Sequence, residues 1–155
     1  MLKGEKRREQ ILAAAEEMFY QNGYERTTVS DIITALGLSK GGFYHHFESK
    51  EALLQAICDR KAEDSYAAAR RAVDDCPGSW ADKFNAMFDQ YGMWQSGNAD
   101  FMGLLIRVAY REDNLIMRDK LKRKSMGLML PLVEEIVKGG VAAQEFITPY
   151  PEGTG

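Results

Sequence analysis

Between Asn22-Gly23 and Ser49 the chain carries one helix stop, two fresh helix starts and a glycine between them, and no other stretch constrains the fold as tightly. Asn22-Gly23 supplies a left-handed stop to whatever helix precedes it. Thr28-Val29-Ser30-Asp31 then forms a variant of the capping box, with the Thr28 hydroxyl on the first free amides and Asp31 reaching back. The short helix it opens has Ile32, Ala35 and Leu36 on its apolar face and ends at Gly37. Ser39 offers a second N-cap, so the next helix runs from Lys40 to about Phe47, barely two turns. Joined by Gly37-Leu38 and tied together by Ile32, Leu36, Leu38, Phe43 and Phe47, the pair has the dimensions of a helix-turn-helix over residues 28–47.

The remaining elements are also helical. From Glu5 to Gln21, Ile11, Leu12, Ala15, Met18 and Phe19 share one helical face. Ser49 caps a helix that carries Leu53, Leu54, Ile57 and Cys58 to about Arg71, and Cys76-Pro77-Gly78 breaks the chain beyond it. Ser79 caps another, dense in Trp80, Phe84, Met87, Phe88, Tyr91 and Trp94 and ended by Ser96-Gly97-Asn98. A shorter helix spans about Asp100 to Tyr110, and the last runs from near Asn114 to Lys138. Pro131 should kink that helix and Gly139-Gly140 should loosen its end, while Phe146 to Gly155 reads as an irregular connection. No stretch alternates with period two, so the fold class is all-α.

Composition narrows the function. The 155 residues hold 20 Lys+Arg against 23 Asp+Glu, a net charge of −3, which argues against a protein that coats nucleic acid through a broad cationic surface. Any such contact must be local. No apolar run approaches the roughly 20 residues of a membrane span, and no apolar signal core follows the charged N-terminus, so the expected location is cytoplasmic with no membrane partner. Cys58 and Cys76 stand in no CxxC and at no metal-ligand spacing with a histidine, and Cys58 reads as a buried small apolar residue. No phosphate loop or nucleophile elbow appears, so neither an enzyme nor a cofactor is expected. Adjacent His45 and His46 point about 100° apart on a helix and cannot converge on one ion. The basic run Arg118, Lys120, Lys122, Arg123 and Lys124 reads as a solvated helix face.

The second helix of the pair would present Ser39, Lys40, Gly41, Gly42, Tyr44, His45 and His46 outward, with its first amides placed to meet a phosphate. The same residues carry a resemblance. The run Thr28-Val29-Ser30-Asp31-Ile32, Gly37-Leu38-Ser39-Lys40-Gly41-Gly42-Phe43-Tyr44-His45-His46-Phe47-Glu48-Ser49-Lys50-Glu51-Ala52-Leu53 closely resembles the tetracycline-repressor (TetR) family of transcriptional regulators. Arg8 to Phe19 and Gly23-Tyr24 resemble that family's first helix and its exit, so the likeness covers residues 5 to 65. Beyond residue 66 it is architectural, apart from Gly140 and Phe146-Ile147-Thr148-Pro149-Tyr150-Pro151, similar to the loop after helix seven in some branches.

The resemblance implies roles by position. Thr28, Tyr44 and Lys50 would bind backbone phosphates, which position a protein without reading sequence. Lys40 would reach a guanine edge or a phosphate, Gly41 and Gly42 would allow close backbone approach, and His45 would be the second reader. Lys3, Lys6, Arg7 and Arg8 would follow the adjoining backbone or minor groove. Two features depart from expectation. Gly42 stands where the family more often has a hydroxyl or methyl side chain, and paired glycines predict a recognition helix that completes its order on DNA. Residues 1–60 hold 8 Lys+Arg and 9 Asp+Glu, 8 − 9 = −1, so Glu9, Glu16, Glu17 and Glu25 must face away from the duplex.

The domain expectation is a helix-turn-helix domain over 1–65 and a helical effector-binding and dimerisation domain over 66–155. Six of eight methionines (Met87, Met93, Met102, Met117, Met126, Met129) lie in this second half among aromatic residues. Thioethers and rings can line a pocket for an apolar or aromatic effector, with Met87, Phe88, Tyr91, Trp94 and Phe101 as candidates; at helical spacing they equally make a plain core. The family normally continues with two more dimer-forming helices, so the second domain is expected to be incomplete. The functional expectation is a repressor that occupies a palindromic operator as a homodimer, with an effector among helices four to seven swinging helix four to release it. The alternative is a shortened ligand-binding or heterodimerising module that does not itself occupy DNA.

Overall fold

The computed structural model describes residues 3–109 and 115–147. Among them are seven helices and no strand: α1 (Lys3–Asn22), α2 (Val29–Ala35), α3 (Lys40–Tyr44), α4 (Lys50–Asp75), α5 (Trp80–Gly97), α6 (Ala99–Ala109) and α7 (Leu115–Ala142). The all-α expectation holds. Tyr110, Asn114 and the segment from Thr148 to Gly155, read above as helix ends and an irregular tail, lie outside the described residues.

The chain divides into two compact units, one drawn from Met1–Arg60 and Asp100–Leu121, the other from Lys61–Ala99 and Lys122–Gly155. The first collects the apolar faces seen in the sequence. Ile11, Leu12, Ala15 and Phe19 of α1, Ile32 of α2, Phe43 of α3 and Leu53, Leu54 and Ile57 of α4 are all buried, as are Phe101, Leu104 and Val108 of α6. A fully buried side chain of this size contributes about 1.5–3 kcal/mol, which is how helices too short to persist alone are held. Cys58 is buried as expected, and burial pushes its thiol up to about 12, so it is no nucleophile at neutral pH.

In the second unit Ala69 and Val73 of α4, Met87 of α5 and Leu132 and Ile136 of α7 form the core, flanked by Trp80, Phe84, Met129 and Phe146. Polar contacts fix the register. The Lys61 ammonium donates to the Asn98 side-chain oxygen (3.0 Å) and Lys83 donates to the carbonyls of Val73 (2.9 Å) and Cys76 (2.8 Å), so α4 and α5 run antiparallel. Lys124 pairs with Glu63 (2.6 Å) and Arg70 with Glu135, so α4 and α7 run parallel. Lys83 also covers carbonyls that the end of α4 leaves without helical partners. Ser79 and Asp82 close a capping box at the start of α5.

Three boundaries differ from the sequence reading. Helix α3 stops at Tyr44 rather than near Phe47, where the His46 amide turns back to the carbonyl of Phe43, three residues earlier, in a tightened last turn. Helix α4 continues past Arg71 to Asp75, with Val73 buried in the core. Helix α7 passes through Gly139-Gly140 to Ala142 instead of loosening there. A Cβ at Gly139 would overlap the Trp80 ring and one at Gly140 the Phe146 ring. These glycines are packing residues, and no loop is formed by them. The Gly140 carbonyl accepts the Glu145 (2.8 Å) and Phe146 (3.1 Å) amides, which folds the chain back over the helix end. Replacing Gly140 with alanine raises intrinsic helix propensity yet should destabilise the protein by about 1–3 kcal/mol through overpacking against Phe146. Urea denaturation measures this; a raised midpoint would show that the aromatic contact does not govern the site.

Candidate nucleic-acid interface

The 28–50 segment is assembled from local hydrogen bonds. Gly23 (φ 85°) and Gly37 (φ 58°) occupy the left-handed region that ends α1 and α2 and that side-chain-bearing residues avoid. Buried Thr27 donates its hydroxyl to the Gly23 (2.9 Å) and Met18 (3.2 Å) carbonyls, pinning the first turn. Thr28 and Asp31 form the predicted capping box: the Thr28 oxygen accepts from the Asp31 amide (3.2 Å), and the Thr28 amide (2.8 Å) and hydroxyl (2.7 Å) donate to the Asp31 carboxylate. The Ser39 oxygen accepts the Gly42 amide (3.0 Å) at the start of α3.

Within α3, Phe43 has no exposure and its ring lies 6.3 Å from that of Phe47 at a tilt of 43°, while Tyr44 is 46% exposed. Ser39, Lys40, Gly41 and His45 are exposed, and Gly42 and His46 are half-buried. The outward set therefore occurs on one short element backed by an aromatic anchor. Of the expected tying residues, Ile32, Phe43 and Phe47 are buried and Leu36 and Leu38 half-buried. A Cβ on Gly42 would lie 3.1 Å from the Ser39 hydroxyl, whereas one on Gly41 meets nothing within 4 Å. Gly42 is thus shaped by the cap beside it, and Gly41 faces open space.

Lys50 is engaged inside the domain. Its ammonium donates to the Tyr24 carbonyl (2.9 Å) and lies 4.2 Å from the centre of the Tyr24 ring. The Tyr24 hydroxyl donates to Glu51 (3.4 Å), and burial raises its pKa above the ordinary tyrosine value. The start of α4 is thereby latched to the turn after α1, and an ammonium has donors to spare for a phosphate. Sequence reasoning missed this latch and the role of Arg60. Arg60 pairs with Glu9 (3.2 Å) and with Glu16, so two of the acids expected to face away from a duplex share one cation within the domain. Their spacing of two helical turns on one face was the available signal for a facing cation. Arg8 lies over the Phe47 ring (4.9 Å), and Lys6 and Arg7 are exposed.

The candidate effector residues are divided between the two units. Met87 is part of the core of its unit, Phe88 is 55% exposed, Tyr91 is exposed and Trp94 half-buried. Phe101 is buried in the other unit. Helical spacing alone could not separate a core position from a solvent-facing one on α5. Among the described residues no group of three or more His, Cys, Asp or Glu is placed to hold a metal, and no helix is long and apolar enough to cross a membrane.

A three-helix unit in which a capped, outward-facing third helix follows a capped second one across a left-handed glycine is a helix-turn-helix domain. Residues 11–57 match the family model described as bacterial regulatory proteins, tetR family. The transcriptional regulator TtgR of Pseudomonas putida is 40% identical over 70 residues, 44% of this chain and 33% of that protein. A TetR/AcrR-family regulator from Thermobifida fusca superposes with a TM-score of 0.68 at 25% identity, covering 94% of this chain and 76% of the other. The regulator FadR of Bacillus subtilis, solved with stearoyl-CoA, shares the fold at a TM-score of 0.71 and 21% identity, covering 90% and 74%. The helix-turn-helix segment over residues 11–57 is thus similar to that of the tetR family of bacterial regulatory proteins. The matched stretch spans about a third of the length of the curated relatives.

The cap at Thr28 makes a pH prediction. Hydrogen bonds from the Thr28 amide and hydroxyl lower the Asp31 pKa below the ordinary aspartate value. The carboxylate's contribution is therefore full above the unfolded pKa of about 4 and is lost as pH falls through the depressed folded value. Asp31→Asn should melt below wild type at pH 6–7, and the gap should shrink below about pH 3. A gap independent of pH would contradict the charged cap.

Proposed function

We propose that the chain is a DNA-binding transcriptional regulator of repressor type, which occupies a palindromic operator as a homodimer and leaves it when a small apolar or aromatic effector binds. The observation that carries this reading is the outward set Ser39, Lys40, Gly41, Tyr44 and His45 on α3, held by buried Phe43. In this arrangement the first turn of α3 enters the major groove. Lys40 meets a guanine edge or a phosphate, His45 reads a neighbouring base, and Gly41 lets the backbone come close. Thr28, Ser39, Tyr44 and Lys50 fix the register on phosphates, Thr28 by turning its hydroxyl proton away from Asp31. The half-buried Gly42 keeps the Ser39 cap uncrowded.

Two copies of α3 about 34–36 Å apart read the two half-sites of a palindrome, so anything that changes the spacing releases the operator. An effector does this only if it binds more tightly to the released arrangement. The stearoyl-CoA bound by FadR supports a small-molecule effector as a class. The effector unit is the one that contains α5, where Phe88, Tyr91 and Trp94 are the accessible or partly accessible aromatic candidates, with Met87 behind them. Phe101 is a buried core residue of the other unit and is left out of this candidate set.

An operator selected from a random DNA pool makes the reading testable by fluorescence anisotropy. Lys40→Ala and Tyr44→Phe should each weaken binding by roughly 5- to 50-fold, with thermal midpoints within a degree or two of wild type, because both side chains are exposed. If Lys40 meets a phosphate, its loss should also reduce the salt slope by about 0.9. Unchanged affinity in both variants would refute the docking.

A further inference from the structure

We propose that the groove between the first half of α4 and the start of α7, within the unit drawn from Met1–Arg60 and Asp100–Leu121, binds a primary alkylammonium, an organic monocation whose head meets Glu51 and whose hydrocarbon chain lies along the groove. The site is independent of the effector reading above, whose candidates stand on α5 in the other unit.

The groove has a volume of about 500 Å³, within the roughly 300–1,000 Å³ that small-molecule sites occupy. Two rows of α4 side chains line it, each with a spacing of one helical turn. Glu51, Gln55 and Asp59 form the polar row, and Ala52 and Ala56 form an apolar row whose small side chains leave the space open. From Glu51 to Asp59 the helix rises about 12 Å, comparable to an extended octyl chain. Ile116, Met117 and Lys120 of α7 complete the described lining. Ile116 is 75% exposed, so a hydrocarbon laid over it and the two alanines removes apolar surface from water.

Charge selects the head group. Two carboxylates, Glu51 and Asp59, against the one ammonium of Lys120 leave the described lining with a net charge of −1. Asp59 already accepts the Gln55 amide (2.9 Å). Glu51 is exposed and accepts the Tyr24 hydroxyl at 3.4 Å, long beside the roughly 2.7–2.9 Å of a charge-assisted bond, so its carboxylate can still take an ammonium. Hydrogen bonds from its own backbone amide and from Ser49, with Lys50 close by, lower its pKa and keep it charged at neutral pH. Lys50 itself is turned to the Tyr24 carbonyl and ring. An anion would meet two carboxylates, and a dication would bring its second charge into a groove that already holds Lys120. A monocation balances the lining.

Amide chemical-shift titration of the full chain with n-octylammonium chloride, with 1-octanol as the neutral control, tests the site. Both probes should shift amides within residues 51–59 and 115–121, and octylammonium should bind more tightly. Glu51→Gln should weaken octylammonium by roughly 5- to 20-fold, as expected for the loss of a charge-assisted hydrogen bond, and leave octanol within about twofold. Lys120→Met should act in the opposite direction and tighten octylammonium by about two- to threefold, because a like charge has left the groove. Ala56→Leu, which fills the groove without touching a charge, should weaken both probes and keeps the test decisive if Glu51→Gln disturbs the Tyr24 contact. Octylammonium shifts confined to α5, affinity no greater than that of octanol, equal weakening of both probes by Glu51→Gln, or weaker octylammonium binding in Lys120→Met would overturn the assignment.

Discussion

Phe43 is completely buried in a helix of five residues, two of them glycines, and that burial holds the outer face of α3 in place. A helix this short has no independent stability, so its position derives from what it packs on and from how its ends are tied. Phe43 supplies the first, with Phe47 beside it, and Ser39 supplies the second by taking the Gly42 amide. The neighbouring elements extend the same logic: Thr27 pins the turn after α1, Thr28 and Asp31 start α2, and Lys50 with Tyr24 latches α4. Lose the anchor and the exposed lysine, tyrosine and histidine have no common frame.

Electrostatics within the first sixty residues follows a related pattern. A domain of net charge −1 is an unpromising DNA ligand if its charges are counted without regard to position. Arg60, already within that count, leaves the total unchanged but fixes two of the acids by pairing with Glu9 and Glu16, while Lys40, Lys6 and Arg7 remain exposed. What a phosphate backbone meets is a local potential, which depends on where the charges sit as well as on how many there are.

The helix-turn-helix was legible in the sequence because everything that specifies it is local. Capping residues lie within three positions of the amides they serve, and glycine marks a left-handed turn wherever it falls, so Thr28, Asp31, Gly37 and Ser39 could be read without knowing any tertiary contact. The features that were not legible depend on distant partners. Arg60 meets residues 51 and 44 positions away, and Gly139 and Gly140 signal a helix end until Trp80 and Phe146 are seen against them. On α5 every large side chain fits the helical period, so periodicity could not tell that Met87 faces the core and Phe88 the solvent.

In the proposed docking, α3 is the element that enters duplex DNA. Amide chemical-shift mapping of the full chain, titrated with a duplex selected from random sequence, tests it most directly. Docking through α3 puts the largest changes on residues 39–45 together with the amides following Thr28 and Ser49, while α5 changes little. Perturbations concentrated on the basic face of α7 with residues 39–45 unmoved would contradict it.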